Sequence, residues 1–177
     1  MVATVENFEK SKEFFKNGKV LNALERLDNV LEHFDQVTEV NKKELPQFLN
    51  EFLRYCKDNN LQNEEARVLR MLGRTHSKLR NHVEGLKFSY QALKIQKKIG
   101  KKLDVAESLV FLAEDLEVSG NYEECVQIFT EAAEAFHELG ELRKEEDILK
   151  EINRLKAFSK QMVEDEYIMN KFNVDNY

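Results

Sequence analysis

Residues 66–96, ARVLRMLGRTHSKLRNHVEGLKFSYQALKIQ, and residues 106–136, AESLVFLAEDLEVSGNYEECVQIFTEAAEAF, decide how this chain folds. At an offset of 40 residues they share one grammar: Leu69 lies over Leu109, Leu72 over Leu112, Gly73 over Ala113, Asn81 over Asn121 and Ala92 over Ala132. Each copy holds two apolar stripes at helical spacing around a short polar break, so each is a helical hairpin. Gly73 and Ala113 are small where the first helix of a hairpin touches the second, and Gly85 and Ala132 let backbones approach. The Leu and Phe positions fill the layer between repeats.

The same period runs outward. Asn41, Asn81 and Asn121 are 40 apart, as are Asn60, Gly100 and Gly140. Apolar residues recur at i, i+3, i+4, i+7 almost everywhere, as in Leu45, Phe48, Leu49, Phe52, Leu53 and Cys56, and no sustained alternation supports a strand. The spacing predicts eight helices, near 5–16, 19–36, 43–58, 63–79, 82–98, 103–118, 121–138 and 141–162. Their short connections make sequence neighbours antiparallel. Pro46 is expected near the start of the third helix, where its missing N–H costs little.

Composition agrees with long helices. The 177 residues include one proline and six glycines, and 34% are charged, so little interrupts the backbone and the outer faces are polar. No apolar run approaches the roughly 20 residues a membrane-spanning helix needs. The first residues, MVATVENFEKSKEFF, have the pattern of neither a signal nor a transit peptide, and a cytoplasmic location is expected. Cys56 and Cys125 sit in apolar stripes of separate helices, as buried small hydrophobes do. Net charge is −6. It is uneven: −2 over residues 1–60, +7 over 61–105 and −11 over 106–177.

The pattern of Leu69, Leu72, Gly73, Leu79, Asn81, Gly85 and Ala92, repeated as Leu109, Leu112, Ala113, Gly120, Asn121, Tyr122, Phe129 and Ala132, resembles the tetratricopeptide repeat (TPR). That family's unit is usually 34 residues, with a proline after its second helix; here the period is 40 and that proline is absent. The segment from Ile95 to Glu107 is similar to the longer-helix variety found in cell-polarity scaffolds and in bacterial peptide-sensing regulators. The resemblance implies an all-α fold, a right-handed superhelical stack of antiparallel hairpins. It covers residues 64–155 well and the first sixty poorly. There, Asn17-Gly18 and Asn41-Lys42 compete for the turn inside the first hairpin, and we favour an N-terminal hairpin followed by an extra helix. One domain over 1–163 with a tail at 164–177 is expected. The tail carries Tyr167, Ile168, Met169, Phe172, Val174 and Tyr177, and this much apolar surface implies an ordered segment: a cap, an occupant of the groove, or a dock on a partner.

In such repeats the first helices line a concave face. The resemblance therefore nominates Arg67, Arg70, Arg74 and Ser77 from one copy and Glu107, Val110, Phe111, Glu114 and Glu117 from the next. A further step of 40 reaches Asp147, Lys150, Glu151 and Arg154. Arginines at i, i+3 and i+7 repel one another unless something acidic answers them. A basic strip beside an acidic one, with Phe111 between, suits a protein peptide or helix of mixed charge. The chaperone-carboxylate clamp of the family does not fit, because Asp147 and Glu151 would repel a carboxylate.

The remaining residues argue against chemistry. His33, His76, His82 and His137 lie on different elements with no carboxylate or cysteine at ligand spacing, and no glycine-rich phosphate loop or nucleophile motif is present. No cofactor, metal or catalytic residue is expected. Lys94, Lys97, Lys98, Lys101 and Lys102 crowd a helix end, which favours lysine through the macrodipole; without interleaved aromatics they do not indicate nucleic acid. Two functions follow as expectations: an adaptor or scaffold holding a partner in its concave groove, or a structural subunit of a larger assembly held by its convex face and ends.

Overall fold

The computed structural model describes residues 2–174, with side chains described at 4–162 and 164. Among them are eight α-helices: α1 (Val2–Lys16), α2 (Val20–Glu32), α3 (Glu39–Asp58), α4 (Gln62–Lys78), α5 (His82–Ile99), α6 (Lys102–Val118), α7 (Tyr122–Leu139) and α8 (Leu142–Val174). A 3-10 turn, Phe34–Gln36, follows α2. The chain is an all-α stack of hairpins: α4 with α5, α6 with α7, and α1 with α2 at the N-terminal end. Helices α2, α4 and α6 lie side by side as an inner layer, while α3, α5 and α7 each pack against the inner helix that follows.

The backbone itself carries the repeat. Asn60, Arg80, Gly100, Gly120 and Gly140 all have φ between 56° and 83°, so the chain leaves a helix through the left-handed region every 20 residues. Glycine does this without a Cβ penalty at three of the five positions.

The first helix begins at Val2 rather than 5, and two later boundaries in the N-terminal third also differ from the expected ones. The second helix ends at Glu32 rather than 36, and the third begins at Glu39 rather than 43. The cause of the last shift is Thr38, whose hydroxyl accepts the Asn41 N–H at 3.3 Å and starts the helix early. Asn41 is therefore buried inside α3 and is no break, and Pro46 lies well within the helix, leaving the Lys42 carbonyl without its usual donor. Helix α3 packs on α4 and meets α1 through rings: Phe15 and Phe52 have centroids 4.4 Å apart, and Phe8 and Phe48 meet edge to face at 5.8 Å.

The core is a stripe between the two layers, filled in one half by Leu24, Leu45, Phe52, Leu69 and Leu72 and in the other by Leu109, Leu112, Leu116, Phe129 and Ile152. Helices α4 and α5 approach closely at Gly73 and Gly85. A Cβ on Gly73 would stand 2.2 Å from Ser89 Oγ and 3.2 Å from the Gly85 carbonyl oxygen, and one on Gly85 would stand 3.1 Å from the Gly73 carbonyl oxygen. Both helices thus use a Gly-x-x-x-Ser pattern, Gly73 with Ser77 and Gly85 with Ser89, to bring bare backbone together.

The last helix departs from the register. A turn would fall near Ser159-Lys160-Gln161, which offers no glycine or asparagine, and α8 runs on to Val174 instead of ending at 162. With no described helix following it, Leu149 is 44% exposed, whereas its register mates Leu69 and Leu109 are 1% exposed. Residues 164–174 of the tail continue α8 as backbone helix; the contacts of its side chains beyond Glu164, and residues 175–177, lie outside the described residues.

Candidate partner-binding groove

Side-by-side packing of α2, α4 and α6 presents one face of each to a concave surface, and α8 closes its far side. A cleft of about 420 Å³ opens there. Arg70 and Arg74 come from α4, Glu107, Val110 and Phe111 from α6, and Lys144, Asp147 and Ile148 from α8. Asp28 and Glu32 from α2 complete one rim, and Phe136 of α7 forms part of the floor.

Ion pairs tie neighbouring inner helices across the face. Asp28 pairs with Arg67. Lys144 Nζ reaches Glu107 at 3.0 Å, and Arg154 Nη2 spans both oxygens of Glu117 at 2.8 and 2.9 Å. Partly exposed pairs of this kind contribute about 0–1 kcal/mol each and chiefly fix register.

Arg70 and Arg74 are different. Both guanidinium groups lie over the Phe111 ring, 4.6 and 4.8 Å from its centroid. Among the described residues neither forms an ion pair or hydrogen bond, although both are half-buried. Burial pulls the Arg70 guanidinium below its ordinary value, the charges of Arg67 and Arg74 add to that, and Asp28 and Glu107 oppose it. Arginine still stays protonated at neutral pH. The two side chains therefore present unused N–H donors to the groove.

The nominated residues divide accordingly. Arg70, Arg74, Glu107, Val110 and Phe111 line the cleft together, with Arg67 at its edge on Asp28. Glu114 and Ser77 line a smaller recess between α4 and α6 with Arg74, Lys78, Asp115 and Val118. Ser77 is buried against Gly85 and is not among the residues lining the main cleft. Glu117 and Arg154 form the ion pair already described. Lys150 stands outside the cleft, on Glu146 at 3.1 Å and Asp147 at 3.2 Å of its own helix. Asp28, Glu32, Lys144, Phe136 and Ile148 were missed by the register. An acidic i, i+4 pair two helices before three arginines is the signal that finds Asp28 and Glu32, and Lys144 is one turn before Asp147 on the same stripe.

Asp115 lies behind the groove, 4% exposed, and accepts the Ser89 hydroxyl at 2.5 Å. Its carboxyl is pushed above the ordinary 3.8 by burial, against the opposing effects of Ser89, Ser77, Arg74 and His82. Below 3.8 both folded and unfolded chains hold the proton; as pH rises, the unfolded chain releases it first, so folding loses stability until the higher folded value is passed. Glu114, also raised by burial, acts in the same sense. Asp115→Asn keeps an acceptor for Ser89 and removes the proton. The melting-temperature difference between Asp115→Asn and wild type is expected to grow in favour of the variant as pH rises from about 4 towards 7; a pH-independent difference contradicts this account.

Burial pushes the thiols of Cys56 and Cys125 up to about 12, which disfavours the thiolate form. Among the described residues no three His, Cys, Asp or Glu side chains gather as a metal site. In the lysine cluster, Lys97 pairs with Glu131 at 2.7 Å and Lys102 with Glu138 at 3.4 Å.

Paired helices, an inner layer lining a concave groove and turns every 20 residues define a helical-repeat fold of tetratricopeptide type. In particular, the chain is similar in fold to a Rap protein whose crystal structure is of its complex with competence and sporulation factor. The TM-score is 0.58 at 13% identity, over 96% of this chain and 52% of that one, so this chain spans about half its length. Two structures of Podosopora anserina putative kinesin light chain TPR-like repeats have a TM-score of 0.48 at 13% and 14% identity, covering 91% and 87% of this chain and 99% and 95% of theirs. No family model and no curated protein matches the sequence.

Proposed function

We propose that this chain is a non-enzymatic interaction adaptor that holds a peptide or helix of a partner protein, of mixed charge, in the groove between α2, α4, α6 and α8. The observation that carries the reading is the stack of Arg70 and Arg74 on Phe111, two half-buried cations with no acceptor among the described residues. Such donors are costly to leave unmet. The Rap protein of similar fold is seen with a bound factor, which supports a ligand-holding role. A convex docking face has less behind it, because among the described residues the five most exposed large apolar side chains, Leu21, Val40, Val83, Val118 and Leu142, stand on five different helices, although Leu142, Leu149, Phe158 and Met162 share α8 at the end of the stack. The adaptor is assigned to the cytoplasm, where its two unpaired cysteines are compatible with a reducing environment. Among the described residues no helix is long and apolar enough to cross a membrane. Neither nucleic acid nor a membrane is part of the proposal.

The test compares proteins that co-purify with wild type, Phe111→Ala and Val83→Ala. The partner is expected with wild type and Val83→Ala and to be lost from Phe111→Ala by at least about tenfold, roughly the 1.4 kcal/mol that a central aromatic contact supplies. Retention by Phe111→Ala and loss from Val83→Ala would favour the structural-subunit alternative.

A further inference from the structure

Three carboxylates of the cleft are answered by cations of the protein: Asp28 by Arg67, Glu107 by Lys144, and Asp147 by Lys150. What stays unanswered at the centre is Arg70 and Arg74, one helical turn apart and stacked on one ring, beside Val110 and Ile148. A guanidinium offers a planar fork of donors that matches a carboxylate in two-point fashion. Resting on the peptide-in-groove reading, we infer that Arg70 and Arg74 receive the side-chain carboxylate of an aspartate or glutamate in the bound peptide, whose neighbouring apolar side chain lies on Val110, Phe111 and Ile148.

Charge complementarity selects this occupant over two others. The cleft is lined by three cations, Arg70, Arg74 and Lys144, against four carboxylates, Asp28, Glu32, Glu107 and Asp147. A phosphate, with about −1.5 to −2 charge at neutral pH, meets this net negative lining less well than a carboxylate of one charge. A chain terminus leaves one acidic rim facing nothing. An internal acidic residue lets the peptide continue both ways, with a basic group near Glu32, the rim carboxylate with no ion pair among the described residues.

The probe is a set of random short peptides anchored through their N-terminal end, with the C-terminus free, and panned on the immobilised full chain, the winners then synthesised with amidated C-termini. Winners are expected to carry Asp or Glu beside Leu, Ile, Val or Phe. Replacing that Glu by Gln, or Asp by Asn, in the peptide weakens binding to wild type by at least about tenfold, and to Arg70→Gln/Arg74→Gln by no more than about twofold, as a shared contact requires. Because the first change is made in the peptide, misfolding of a protein variant cannot mimic it. Phe111-dependent winners that lack an acidic residue, or that lose binding once the C-terminus is amidated, overturn this inference and leave the groove reading standing, as does a winner that gains affinity when phosphoserine replaces its Asp or Glu. Failure to recover any winner whose binding depends on Phe111 overturns the groove reading, and the inference with it.

Discussion

Gly73→Ala is expected to destabilise the protein by about 1–5 kcal/mol, although alanine in place of glycine inside an exposed helix ordinarily gains about 1 kcal/mol. The sign is decided by what the new methyl meets. It would lie 2.2 Å from Ser89 Oγ and 3.2 Å from the Gly85 carbonyl oxygen. Ser89 must move, and in moving it gives up the 2.5 Å hydrogen bond to buried Asp115. Losing a buried bond to a charged group costs about 1.5–3 kcal/mol, and overpacking adds about 1–3 kcal/mol. In a Ser89→Ala background the hydroxyl conflict is absent, so Gly73→Ala costs less there. Equilibrium urea unfolding of the two single variants and the double variant checks this; a neutral or stabilising Gly73→Ala contradicts the α4–α5 crossing described above.

Leu112→Ala is expected to cost about 2–5 kcal/mol by opening a cavity that the surrounding helices refill only in part. Leu112 is fully buried in the half of the core shared by α5, α6, α7 and α8. Val118, further along the same helix, is 60% exposed. Val118→Ala is expected to change stability by no more than about 0.5 kcal/mol. The pair is measured in the same denaturant series, and similar effects for both variants would mean that α6 is turned differently about its axis.

How much of this was legible depends on the length over which one signal repeats. In α4 to α7, apolar spacing, turn residues and the offset of 40 residues all agree, and the helices lie within about two residues of their expected bounds. At the N-terminal end the signals conflict. Asn41 matched Asn81 and Asn121 in number and suggested a turn, but Thr38 captures its N–H and buries it in a helix. The same register explains which groove residues were found. Adding 40 to α4 reaches α6 and α8 because those helices repeat. Subtracting 40 from Arg67 gives Leu27, a core residue, whereas the residue that answers Arg67 is Asp28, on a helix paired differently with its neighbours. The stack of two arginines on Phe111 has no signature in spacing, because it depends on where α4 and α6 sit relative to each other.

That a partner is held by the concave face is tested most directly by photo-crosslinking from inside the groove. A benzophenone amino acid placed at Val110, in the cleft, is expected to form a covalent adduct with the partner, whereas the same group at Val83, 82% exposed on outer helix α5, forms none. An adduct from position 83 with none from position 110 would contradict the account.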